Sequence, residues 1–163
     1  MIQKVKLTTR EGKKVMGCRV TVTSDFHSSI ENIWNKIQDV DTLREICKPK
    51  ASFIACDDSP IQWKEGKTFV FKMYLHGFLP VGRHTINVVK MDKTSRGIDT
   101  KEYDNTVVIW NHYIKMEEIS QQVTRYTDTV DLYAGCLTSI AAWWTLKFYK
   151  HRQRKWQKIA KSL

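Results

Sequence analysis

The last thirty residues, Ala134 to Leu163, carry a helical period through two halves of opposite character, and that restricts what the rest of the chain can fold into. Apolar residues at Leu137, Ile140, Ala141, Trp144, Phe148 and Ile159 lie three, four or sums of three and four apart, the spacing of one buried helical face. The first half, through Leu146, is small and apolar around Trp143-Trp144. The second carries Lys147, Lys150, Arg152, Arg154, Lys155, Lys158 and Lys161 with no acid, and supplies most of the formal net charge of +10. Cations toward a helix C-terminus suit the macrodipole, so one reading of this run is a solvated, dipole-compensated end; a surface for anions or a partner is the other. Lys147, Lys150, Arg154, Lys158 and Lys161 step by three, four, four and three, which places them on one stripe. Peripheral contact with an anionic membrane or another polyanion is its candidate role.

A helix with one apolar face needs a surface to close on, and the preceding residues supply a sheet. Ile2 to Thr8 alternates, Arg10-Glu11-Gly12-Lys13 reads as a turn, and Val15 to Phe26 reads as a long first strand; residues 1–14 are an extension or an extra strand. Ser28 with Glu31 three residues later is a capping box ahead of Ile30, Ile33, Trp34 and Ile37, and a second short helix, Asp41 to Cys47, stops before Pro49. From Ala51 the period becomes two. Ala51–Cys56, Lys67–Phe78, Arg83–Met91, Gly97–Tyr103, Thr106–Glu118 and Gln121–Leu132 read as strands separated by Asp57-Asp58-Ser59-Pro60, Leu79-Pro80-Val81-Gly82, Asp92 to Arg96, Asp104-Asn105 and Ile119-Ser120. Turns this short make an antiparallel meander, and such a sheet hides its apolar face by curling around the final helix. At 163 residues and 42% apolar content a single domain over 1–163 is expected.

The order of elements resembles the START-like, or SRPBCC, superfamily of helix-grip domains. The residues that carry the likeness are the V-T-V-x-S-x-F strand at Val20 to Phe26, the S-S-I-E-N-I-W helix at Ser28 to Trp34, V-D-T-L at Val40 to Leu43, and the closing helix. The resemblance covers the chain from about Gly17. It implies an α+β fold: a seven-stranded curved antiparallel sheet, two short helices after its first strand, and a long C-terminal helix gripped around an apolar cavity. It also implies a hydrophobic or amphipathic ligand, lipid or polyketide-like, although such folds serve carriers and cyclases alike.

Strand parity names the side chains that face the cavity. Phe69, Phe71, Met73 and Leu75 form one inward row, opposite Lys72 and His76. Val108, Trp110, His112, Ile114 and Met116 form another, Tyr126 and Asp128 share parity with Val130 and Leu132, His84 with Ile86 and Val88, and Glu102 with Ile98. With Leu137, Ile140 and Trp144 from the helix, these rows supply the candidate ligand-binding residues. His84, Glu102, His112 and Asp128 thus become candidates for one concave face, where buried charges must pair. Three readings stay open: a pair such as His112 with Asp128 or Glu102 knitting strands, a polar end to a ligand pocket, or a cyclase- or dehydratase-type site in which His112 with Asp128 or Glu102 exchanges protons. Metal ligation has no local spacing motif behind it, and no cofactor is expected. The segment His76-Gly77-Phe78-Leu79-Pro80-Val81-Gly82 is either a lid or an ordinary turn.

Other classes lack their signatures. There is no GxSxG elbow, P-loop or GxGxxG after a strand, and aromatic residues among the tail cations have no RNP-like strand or helix-turn-helix beside them, so nucleic acid is not the expected partner. Cys18, Cys47, Cys56 and Cys136 form no CxxC pair and read as reduced thiols. No secretory leader or bilayer-length apolar run is apparent, which suggests a cytoplasmic monomer.

Overall fold

The computed structural model describes residues 1–56, 61–104 and 106–163. Eight strands form one antiparallel sheet: β1 (Ile2–Thr8), β2 (Lys14–Phe26), β3 (Ala51–Ala55), β4 (Thr68–Leu75), β5 (Leu79–Asp92), β6 (Gly97–Tyr103), β7 (Ile109–Ser120) and β8 (Val123–Tyr133). Their spatial order is β1-β2-β8-β7-β6-β5-β4-β3. Helices α1 (Ile30–Ile37) and α2 (Val40–Cys47) carry the chain from β2 to β3 at the far edge, and α3 (Thr138–Ala160) closes the fold. The expected seven-stranded sheet is therefore corrected to eight strands. The N-terminal segment pairs with β2 from Ile2 opposite Val20 to Thr8 opposite Lys14, and its alternating sequence suits an edge strand with one solvated face. The expected turn at Asp57-Asp58-Ser59-Pro60 lies outside the described residues, as does Asn105.

The local signals account for the helices with one shift of register. Ser29, not Ser28, caps α1, its Oγ accepting from the Asn32 amide at 3.2 Å. Glu31 does not close a capping box; it pairs with Arg96 across to the β6 hairpin. Helix α2 ends at Lys48, whose extended backbone (ψ 146°) follows from the proline behind it. The segment from Ala134 is not one continuous helix. Gly135, at φ +57°, turns the chain through a short 3-10 turn (Gly135–Leu137) before α3 begins.

Helix α3 packs on β2 and beside α2, and it buries a face other than the one the apolar spacing marks. Thr138, Ala142, Thr145, Tyr149, Arg152, Gln153, Trp156 and Ala160 are buried, together with Phe148. Leu137 and Ile140 are 49% and 67% exposed, Trp143 of the apolar half is exposed too, and Arg152 is buried rather than solvated. At the far end of α3, Trp156 lies against Phe26 and Tyr126 at centroid distances of 5.9 Å, and this aromatic plug fills the space between helix, β2 and β8. The other half of the sheet, β4 to β7, is not filled by α3.

Candidate functional site

That unfilled half encloses a cavity of about 340 Å³. Its floor is the inward faces of β4 to β7, including Met73, Leu75, His84, Ile86, Glu102, Trp110 and His112. Its roof is Thr42, Leu43 and Ile46 of α2 with Leu137, Ile140, Ala141, Trp144, Phe148, Tyr149 and Arg152 of α3 or the turn before it. The exposure of Leu137 and Ile140 now has its reason: they stand at the open end of the cavity.

Of the ligand-binding residues expected from parity, Met73, Leu75, His84, Glu102, Trp110, His112, Leu137, Ile140 and Trp144 line the cavity. Four do not. Phe69 and Phe71 point inward but are fully buried, with Trp63 at centroid distances of 4.7 and 6.3 Å and Phe53 at 5.9 Å from Phe71. Tyr126 is stacked on Phe26 at 5.0 Å inside the aromatic plug, and Asp128 is buried behind His112. Val108, assigned to the inward row, is exposed, because β7 begins only at Ile109. Within the segment from His76 to Gly82 the turn is His76 to Phe78 alone: β4 ends at Leu75, β5 starts at Leu79 opposite it, and His76 and Gly77 take positive φ to reverse the chain. Of that segment only Val81 reaches the cavity.

The four ionisable candidates converge into one connected network with a fifth member, Asp104. The strand registers dictate this: Ile86 pairs with Glu102, Thr100 with His112, and Ile114 with Asp128, so the inward polar groups of β5 to β8 fall in adjacent rows. His84 Nε2 donates to Glu102 at 2.9 Å and its Nδ1 donates to Asp104 at 3.2 Å. Thr100 Oγ1 donates to the other Glu102 oxygen at 2.7 Å, and His112 Nδ1 faces that oxygen at 3.6 Å, long for a hydrogen bond. His112 Nε2 donates to Asp128 Oδ1 at 2.7 Å, while Gln153 of α3 donates to Asp128 Oδ2 and to the Val22 carbonyl, both at 2.8 Å. The sheet is thereby tied to the helix through side chains that a solid apolar core would not need.

Burial alone would strip the proton from His84, but hydrogen bonds to Asp104 and Glu102 outweigh it and hold the imidazole up at about 9. His112 is raised in the same way, desolvation being overcome by Asp128 and Glu102. Glu102 is desolvated too, yet the two histidines hold its carboxyl well below the usual range, and Asp104 is lowered by His84 and by the amides of Val107 and Thr106. The network is a set of charge-assisted pairs. Among the described residues no group of three or more His, Cys, Asp and Glu side chains is arranged to hold a metal ion.

Parity does not reach the α2 roof (Thr42, Leu43, Ile46), and two charged site residues also lie outside the expected set. Asp104 sits beside a turn signal, yet it continues the parity of Thr100 and Glu102. Arg152 sits in the cationic run, yet it lies seven residues after Thr145 and three after Tyr149 on the buried face.

This architecture recurs among solved structures. A START superfamily protein from Mycobacterium smegmatis superposes with a TM-score of 0.65 over 88% of this chain and 97% of its own, at 10% identity. The chain has the START-like, helix-grip fold. A hypothetical protein from Helicobacter pylori matches with a TM-score of 0.69 over 87% of each chain at 10% identity, and a Thermus thermophilus protein with 0.66 over 88% and 97% at 9%. At such identities the likeness speaks for the START-like fold alone. No family model matches the sequence, and no curated protein is similar to it. No described helix is long and apolar enough to cross a membrane.

Proposed function

We propose that the protein binds and carries a hydrophobic or amphipathic small molecule in the cavity between β4–β7 and α3. The observation that carries this reading is the cavity: about 340 Å³, within the range of small-molecule sites, apolar along most of its wall and polar at the His84–Glu102–His112 end. A START-like fold supports ligand binding in general and leaves the ligand open. Native mass spectrometry of protein purified from cells should show a bound adduct, and an apolar fluorescent probe should bind and be displaced by a cell lipid extract. A Met73→Trp substitution, which fills the floor, should abolish both. An empty protein that takes up neither probe nor extract overturns the reading.

A cyclase- or dehydratase-type reaction would ask a histidine of this site to take a proton from the ligand. Both ring nitrogens of His84 are engaged by carboxylates, and His112 Nε2 is committed to Asp128. The groups suit a fixed polar end better than a proton shuttle.

A second reading concerns delivery. Trp143, Lys147, Lys150, Arg154, Lys158 and Lys161 are all exposed on the outer face of α3, and the Lys147 ammonium stands 5.6 Å from the Trp143 ring. An exposed tryptophan at the head of a basic stripe, next to the open end of the cavity, suits docking on an anionic lipid surface.

A further inference from the structure

Arg152 is the one strong charge on the cavity wall that the polar network does not use. It is only 7% exposed, yet among the described residues no carboxylate lies within ion-pairing distance of it, and its Nε–H has no acceptor. What it touches is aromatic: the guanidinium carbon sits 4.4 Å from the centroid of Tyr149 and 5.9 Å from that of Phe148. The charge of Asp128 reaches it from beyond ion-pairing distance, and the titratable side chains Cys47, Tyr149 and Tyr126 beside it are neutral. Burial pushes the Cys47 thiol up to about 12 and raises Tyr149 and Tyr126 well above the ordinary phenol range. The carboxylates Glu102, Asp104 and Asp128 each already take a hydrogen bond from a histidine.

A buried guanidinium left without an anion or acceptor is costly unless something else completes it. A second donor lines the cavity from its floor: the buried Trp110 indole Nε1–H has no acceptor in full hydrogen-bond geometry, although the Tyr149 hydroxyl lies near it. Both groups only donate, so whatever completes them must accept, and a charged guanidinium is completed best by an anion. The rest of the wall is mostly apolar, and the open end at Ile140 lies twelve residues, about 18 Å, back along α3.

Resting on the carrier reading above, we infer that Arg152 is the head-group anchor of the cavity and that the ligand is an amphiphilic carboxylate. Its oxygens lie on the Arg152 fork within reach of Trp110, and its apolar tail runs along α3 toward Leu137 and Ile140. The planar guanidinium matches a carboxylate in two parallel hydrogen bonds, and the cavity excludes the water that would weaken them.

The test compares decanoate with decanol by calorimetric titration at pH 8, using the full chain stripped of lipid. The two share a tail and differ in head. Wild-type protein should bind decanoate at least about tenfold more tightly than decanol. Arg152→Met, which keeps the apolar stem on Tyr149, should weaken decanoate until the two bind alike while decanol affinity stays unchanged. Arg152→Lys, which keeps the charge and loses the fork, should fall between. A large excess of acetate should leave decanoate in place, because the tail supplies the burial. Equal binding of acid and alcohol to the wild type overturns the anchor and leaves the carrier standing, and this comparison needs no variant to fold. Displacement by acetate also overturns it, making the site one for small free anions. Failure of both probes to bind folded protein takes the carrier reading down as well.

Discussion

Glu102 is shared by His84 at 2.9 Å and Thr100 at 2.7 Å, with His112 facing it at 3.6 Å, and it is almost wholly buried. Removing one partner from such a network leaves the others charged and unanswered, so Glu102→Ala should cost about 3–5 kcal/mol, read from urea unfolding. The pH dependence follows from His84. Its imidazole binds a proton more tightly in the folded chain (about 9) than in the unfolded one (6.5), so the pairing stabilises fully below about pH 6.5 and is lost as pH rises through about 9. The melting temperature should therefore decline across that window, and His84→Gln should flatten the decline; an unchanged slope would mean the ring is neutral in the fold. Most of this network was legible, because strand parity puts His84, Glu102, His112 and Asp128 on one side without knowledge of the register. Parity does not tell a residue that lines a cavity from one buried behind it. Phe69, Phe71, Tyr126 and Asp128 share the inward face, and only the third dimension, where Trp63 and the aromatic plug close over some rows, separates them from Met73 and Trp110.

Helix α3 has two functions along its length, and its sequence shows the seam. From Thr145 onward the buried positions recur in helical steps through Tyr149, Arg152, Trp156 and Ala160; Trp156 and Ala160 belong to the core, while Tyr149 and Arg152 also close the inner end of the cavity. Before it, the apolar residues Leu137, Ile140 and Trp144 face an open cavity. A search for buried apolar faces merges two stripes that point differently. The tryptophans make the division measurable. Trp156 is 1% exposed against Phe26 and Tyr126, so Trp156→Ala should cost about 3–5 kcal/mol of unfolding free energy. Trp143 is 59% exposed, so Trp143→Ala should stay within about 0.5 kcal/mol of wild type. The intermediate case is Ile140→Ser, which should leave chemical denaturation unchanged while weakening probe binding severalfold, since Ile140 contributes to the cavity rim and not to the core. The eighth strand was half legible: the alternation of Ile2 to Thr8 says strand, but only pairing with β2 says that it belongs to the sheet.

The molecule as a whole is lopsided in charge as well as in packing. Its formal net charge is +10, and the outer face of α3 holds Lys147, Lys150, Arg154, Lys158 and Lys161, all exposed and none engaged by an acid among the described residues. Unpaired cations in a row keep their potential, which extends about 10 Å into solvent at 0.1 M salt and would hold a negatively charged bilayer against the open end of the cavity. Arg152 shares this cationic run in sequence and faces the opposite way, so surface and interior contributions can be separated by mutation. Reversing Lys150, Arg154 and Lys158 to Glu should abolish co-sedimentation with vesicles containing phosphatidylserine and leave decanoate binding intact, whereas Arg152→Met should do the reverse. Wild-type sedimentation should fall steeply between low and high salt, as expected for an interaction of exposed charges. The swaps place acids near the C-terminal end of a helix whose dipole favours cations there, at about 0.3–1 kcal/mol for each position in the last turn. Only Lys158 lies in that turn, so the triple variant should remain folded under the conditions of the assay. If vesicle binding proves indifferent to salt, or survives the reversal, the stripe serves only to keep this face of α3 in water.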